Sequence, residues 1–203
     1  MGRMLFKAEK GKVDASDPRA RMLTKVGKKL SVAAAALGAP LAEPEFAVVK
    51  REAMNAYCAP AGKMAAYTGM FAALEKLVDK GKIPSVEAGL MAVMAHETGH
   101  AIARHSAEKL STSPPPSLQS LVYMLRSSSP LLSSLVDFLV TLPFSRNMEL
   151  EADELGVVLM VLLGQDPRVA VTVMGSLPTS AVEWTSTHPT SPKRARRLQE
   201  IIA

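Results

Sequence analysis

Cys58 is the single cysteine in 203 residues. That excludes an internal disulfide framework and any cysteine-built zinc finger, so a metal held by this chain must be held by histidine and carboxylate. Aromatic residues are scarce too, at 4 %, and Ala, Leu, Val and Met carry the hydrophobicity, which favours helices over sheets. With so few rings, the chain has no aromatic-interleaved basic stripe of the kind that reads nucleic acid, and no nucleic-acid partner is expected. The formal charge of +5 is unevenly spread: residues 1–30 hold nine basic and three acidic side chains, and Lys193, Arg194, Arg196 and Arg197 crowd the other end. Solvated basic termini are the expectation, with attraction to an anionic membrane surface as the alternative.

Long apolar runs are also missing. None reaches the roughly 18 residues of a spanning helix. The most apolar piece, between Pro130 and Pro143, is too short and carries Asp137; packed or surface helices are expected there, with a membrane-dipping hairpin as the alternative. Met1 to Phe6 is followed by lysine rather than an apolar core, so no secretory leader is read. Phe6 also breaks the myristoylation pattern.

What is present reads as a polar basic arm over residues 1–16 and one domain over 17–203, α+β but predominantly α-helical. Asp17-Pro18 opens a helix to about Gly38. Short strands are expected at Phe46–Lys50, Ala53–Cys58 and Lys63–Tyr67, a small sheet over about 46–67 packed on the helices. Thr68 and Ser85 are candidate caps for the next two helices, the second running on toward Pro114. Further helices are read at 146–163, from Asp166-Pro167 to about Gly175, and from about Pro192. The methionines read as core filler.

The second of those capped helices carries His96-Glu97-Thr98-Gly99-His100. Side chains four apart lie on one helical face, so His96 and His100 can reach one zinc ion while Glu97 points at the water the metal carries. A catalytic site needs a third protein ligand and an open position. Its best source is the helix after Ser145, where Glu149 and Asp153 share a face and Glu151 lies about 200° from Glu149, pointing elsewhere. One of the two carboxylates can ligate the metal and the other can accept the free N–H of a ligand histidine. Glu151 and Glu154 are expected to serve only the dipole of their own helix. His105, about 140° round from His100 on a continuous helix, is expected to be a surface or packing residue. Cys58 is expected to be a strand hydrophobe, not a nucleophile. Glu183 and Trp184 are candidates for lining a substrate groove, with packing as the alternative.

Taken together, the HExxH motif, the pattern Ser145-Arg146-x-x-Glu149-x-x-Ala152-Asp153, and Ser186-Thr187-His188-Pro189 followed by Arg194 resemble one zinc metallopeptidase family. It includes HtpX, the CAAX prenyl proteases and the mitochondrial Oma-type metalloendopeptidases. Asn55-Ala56-Tyr57, Pro60, Gly62-Lys63 and Tyr67-Thr68-Gly69 are similar to that family's hairpin, and the stretches 148–153 and 166–170 look closest to the Oma-type branch. The resemblance implies a zincin-like peptidase domain with one zinc ion per chain, held by His96, His100 and Glu149, with Glu97 as general base. It implies Asp153 behind the ligands, His188 as an electrophilic helper and Arg194 in support. Protein or peptide substrates would then lie extended along an edge formed by Lys63, Met64, Ala65, Ala66 and Tyr67. It further implies protein quality control at the mitochondrial inner membrane, with a bacterial envelope as the alternative. A prenyl-protein protease and a catalytically silent, zinc-stabilised chaperone or adaptor are the competing functions. The first is weakened by the missing spanning helices and the second by an intact Glu97.

Overall fold

The computed structural model describes residues 11–59, 62–112, 144–176, 188 and 192–203. The apolar stretch between Pro130 and Pro143, Pro60, Glu183 and Trp184 lie outside the described residues. Among the described residues, seven helices and three strands follow in order: α1 (Pro18–Ala36), β1 (Glu45–Val49), β2 (Ala56–Ala59), β3 (Lys63–Tyr67), α2 (Thr68–Asp79), α3 (Val86–Ile102), α4 (His105–Thr112), α5 (Arg146–Leu162), α6 (Arg168–Ser176) and α7 (Pro192–Ile202). The chain is thus mostly helical with one small sheet, as its composition implies.

Local signals set most of the boundaries. Asp17 caps α1 by accepting from the Arg19 amide at 2.8 Å, ahead of Pro18 in the first turn. Ser85 caps α3 through the Ala88 amide at 3.1 Å, and Ser145 caps α5 through the Met148 amide at 3.2 Å. Thr68 does not cap α2. It is the first helical residue, and its hydroxyl donates to the Arg51 carbonyl at 2.7 Å, tying the loop after β1 to the helix start.

The strands are ordered β1-β3-β2, with β3 parallel to β1 and antiparallel to β2. This corrects the expected substrate edge. Lys63–Tyr67 is the central strand: both sides of its backbone are already paired, and all five residues are buried. An added strand needs unpaired N–H and C=O groups, which β3 does not offer. Lys63 is occupied as well, its ammonium donating to Glu45 at 2.6 Å and to Glu43 at 3.2 Å. The outer side of β1 meets residues 11–13, through the Lys12–Val49 bridge and the Val13-to-Val48 hydrogen bond of 2.9 Å. Among the described residues, the outer side of β2 is the edge that pairs with no strand.

Alternation along the strands sends Val48, Cys58, Met64 and Ala66 into the main core. Val49, Tyr57, Ala65 and Tyr67 form a small cluster on the opposite face. The main core joins Leu23, Val26 and Leu30 of α1, Met70, Phe71 and Leu74 of α2, and Leu159 and Met160 of α5 around α3. Every residue of α3 from Gly89 to His100 is buried. A helix covered on all sides is the middle of the fold, not one of its walls.

Among the described residues, α3 and α5 share the most extensive helix–helix contact. A Cβ on Gly99 would sit 2.6 Å from the Ala152 carbonyl oxygen, and one on Gly156 would sit 3.1 Å from the His96 amide nitrogen. Backbone therefore lies against backbone at both points. Gly99→Ala should lower stability by about 1–3 kcal/mol, the usual cost of overpacking a filled contact. A urea-unfolding midpoint equal to that of the parent would refute so tight an approach.

Candidate metal centre

The same two helices carry the HExxH residues and the carboxylates. His96 and His100 stand one turn apart on α3, Glu149 and Asp153 one turn apart on α5, and the Gly99–Ala152 contact presses these faces together. His100 Nε2 lies 3.1 Å from His96 Nε2 and 3.2 Å from Glu149 Oε1, and His96 Nε2 lies 3.6 Å from Glu149 Oε2. Bonds of about 2.0–2.1 Å to a tetrahedral ion place neighbouring donors about 3.3 Å apart. Two imidazole nitrogens and a carboxylate oxygen at that mutual spacing fit such an ion. His188 joins them: one ligand atom from each of His96, His100, Glu149 and His188 lies within 4.8 Å of the rest, and all four residues are buried. His188 Nδ1 is 3.1 Å from Glu149 Oε1, and its Nε2 is 3.3 Å from Glu97 Oε1.

Behind His96 stands a charged pair. His96 Nδ1 is 2.9 Å from Asp153 Oδ1, so an Nδ1–H donated there leaves the Nε2 lone pair facing the centre. Arg194, from α7, holds Asp153 in a two-pronged grip at 2.7 and 2.8 Å and places Nη1 at 2.5 Å from Glu149 Oε2. Residues 41 positions apart in Asp153 and Arg194 are thereby bound in one buried network.

These surroundings set the protonation states. Burial would raise the Glu149 carboxyl, but the imidazoles of His188, His100 and His96 hold it far below the ordinary carboxylate range. Asp153 is lowered likewise, burial being outweighed by Arg194 and His96. Burial pushes His100 well below its ordinary value, so it stays neutral with a lone pair to give. In His96 burial is outweighed by Asp153, and its proton is held more firmly. Glu97 moves the other way, raised chiefly by burial against the pull of His188 and His96. Burial and then Glu97 push the Cys58 thiol up, away from the thiolate a nucleophile needs.

Three residues near the centre escape the sequence reading. Phe144, next to the cap Ser145, stacks on His100 with ring centroids 3.8 Å apart. His105 is not on the His100 helix: α3 ends at Ile102, Arg104 takes φ 59°, and α4 starts at His105. The turn brings His105 back so that its Nδ1 lies 2.9 Å from His100 Nδ1. Glu151 then meets His105 Nε2 at 3.2 Å, beyond any service to its own helix, while Glu154 pairs with Arg197 at 2.7 Å. No glycine or proline marks residues 101–105, so only a left-handed arginine, a rare conformation, signals the break.

Arg194 neutralises two buried carboxylates, and removing it would leave both under-compensated. Arg194→Met should cost about 3–5 kcal/mol in urea unfolding, whereas Arg197→Ala, on the exposed side of α7, should leave the midpoint unchanged. Equal midpoints for the two variants would show that the buried network contributes nothing.

Comparison with known proteins agrees with this geometry. The model of peptidase family M48 matches residues 19–202. The mitochondrial metalloendopeptidase OMA1 of Arabidopsis thaliana is 36 % identical over 160 residues, covering 77 % of this chain and 31 % of the plant protein. The mitochondrial metalloendopeptidase OMA1 of Schizosaccharomyces pombe is 36 % identical over 168 residues, 78 % of this chain and 46 % of its own. The human metalloendopeptidase OMA1 is 26 % identical over 175 residues, 76 % of this chain and 32 % of its own. The chain therefore spans between about a third and a half of the length of these relatives. With nearly all of its length matched by the family model, the chain belongs to peptidase family M48.

Proposed function

We propose that this chain is a zinc-dependent metalloendopeptidase of the Oma type, cleaving flexible or misfolded protein segments in protein quality control. The observation that carries the reading is the convergence of His96, His100 and Glu149 at ligand spacing with Glu97 beside them. Residues 17–203 would act as one peptidase domain, with residues 1–16 as an arm tied to β1 through Lys12. Its relatives' names support a mitochondrial setting. Membrane-surface contact fits the basic ends, and no helix of the described residues is long and apolar enough to cross a membrane.

His96, His100 and Glu149 would hold the ion, which when bound lowers the pKa of a water to about 7 and polarises the scissile carbonyl. Glu97 would accept the attacking water's proton on a carboxylate oxygen and deliver it to the leaving nitrogen. Its raised affinity for protons, caused by burial, suits both halves of that transfer. His188, 3.3 Å from Glu97, would donate an N–H to the oxygen that gains charge. Asp153 and Arg194 would hold His96 and Glu149 in place. The peptide would lie along β2, whose Cys58 amide hydrogen-bonds Glu97. Pairing with main chain selects extended segments rather than folded ones.

Glu97→Gln should keep about one zinc per chain and lose cleavage of unfolded casein by at least about 10²-fold. Glu149→Ala should lose the metal itself. Survival of cleavage in the first variant, or zinc-free parent protein, would overturn the mechanism. His188 admits a second reading, because its Nδ1 also lies 3.4 Å from His96 Nε2 and could close the site as a fourth ligand. His188→Ala with zinc retained and kcat lower by about 10²–10³ supports the helper role. Loss of zinc in that variant supports the fourth ligand.

A further inference from the structure

Each ligand histidine has a partner on its Nδ1, but the two partners differ. His96 meets a buried carboxylate, Asp153, at 2.9 Å. His100 meets another imidazole, His105 Nδ1, at 2.9 Å, and His105 Nε2 in turn meets Glu151 Oε2 at 3.2 Å. His105 is buried, whereas the Glu151 side chain is 61 % exposed.

A contact between two Nδ1 atoms at that distance requires one to donate and the other to accept. If His105 donates, His100 carries its proton on Nε2, the atom that faces His96 and Glu149, and cannot give a lone pair to a metal. If His105 accepts, its own proton lies on Nε2, where only an acceptor can face it. Glu151 is that acceptor. The carboxylate therefore selects the His105 tautomer, and His105 selects the His100 tautomer.

We propose that His105 and Glu151 form a two-step positioning relay that holds His100 as the Nε2-ligating tautomer, with Glu151 acting from the surface through His105. The left-handed turn at Arg104 fits this role. A non-glycine residue at φ 59° is strained, and here it stands between the end of α3 at Ile102 and the start of α4 at His105, where the chain turns His105 onto His100. The Arg104 carbonyl also accepts from the Ala107 and Glu108 amides at 2.9 and 3.1 Å, starting α4 at that point. The relay rests on the metal reading above and deepens it. It concerns how tightly His100 binds the ion, not how the peptide bond is broken.

The test is zinc affinity, measured on the purified chain by competition with a chromogenic chelator. Because Glu151 is exposed, its variants should fold. Glu151→Gln keeps an acceptor oxygen and should bind zinc within about threefold of the parent. Glu151→Ala should bind about 10-fold more weakly, and Glu151→Lys, which presents a donor to His105 Nε2, about 100-fold more weakly, in the range found when a group behind a metal ligand is changed. Glu154→Lys makes the same charge change on α5 outside the relay and should stay near the parent. His105→Phe fills the space without an acceptor, and adding Glu151→Ala to it should weaken binding no further. Three Glu151 variants that match the parent, or equal losses for Glu151→Lys and Glu154→Lys, would overturn the relay while leaving the metal site standing. Parent protein that binds no zinc would overturn both.

Discussion

The contact between α3 and α5 is the constraint on which everything near the site depends. Gly99 against Ala152 and Gly156 against His96 remove the side-chain layer that normally keeps two helices 8–10 Å apart. Once the backbones touch, side chains on the adjoining stripe have no choice but to converge. His96 and His100 from one helix and Glu149 and Asp153 from the other meet within hydrogen-bonding distance. Had a larger residue stood at Gly99, Glu149 would be held away from the imidazoles by about the thickness of a methyl group.

Such convergence is costly without compensation, since it buries two carboxylates and several imidazoles where water cannot reach them. The structure compensates from outside the helix pair. Arg194 of α7 binds both Asp153 and Glu149. That tie also fastens the C-terminal helix over α5. Two carboxylates against one guanidinium leave a negative balance, which a divalent cation beside Glu149 would offset. Docking of the C-terminal helix and the pairing of both buried carboxylates are therefore two consequences of one network.

The sheet has a quieter part. Placing β3 between β1 and β2 spends its backbone on internal pairing and makes Lys63 a buried tie to Glu43 and Glu45. Among the described residues it also leaves β2, whose Cys58 amide hydrogen-bonds Glu97, with an outer side that pairs with no strand. The expectation that Lys63–Tyr67 would be the edge failed for a physical reason. The chain order β1, β2, β3 does not reveal that β3 inserts between its predecessors, because a parallel pairing joins segments with no turn to mark it.

Much of the candidate site is legible in the residues themselves. A spacing of four on a helix decides that His96 and His100 share a face and that Glu149 and Asp153 do, whatever surrounds them. Capping chemistry at Asp17, Ser85 and Ser145 is equally local, and so the helices that bear the donors begin where the sequence says they should. Which carboxylate faces the paired imidazoles, which strand lies in the middle, and where His105 turns were all decided by tertiary structure. Glu149 and Asp153 are separated only by the register that Gly99 sets against Ala152. His105 reaches His100 only because a strained Arg104 breaks a helix that nothing in its own residues would end. Local periodicity determines which side chains travel together, but only long-range packing determines what they meet.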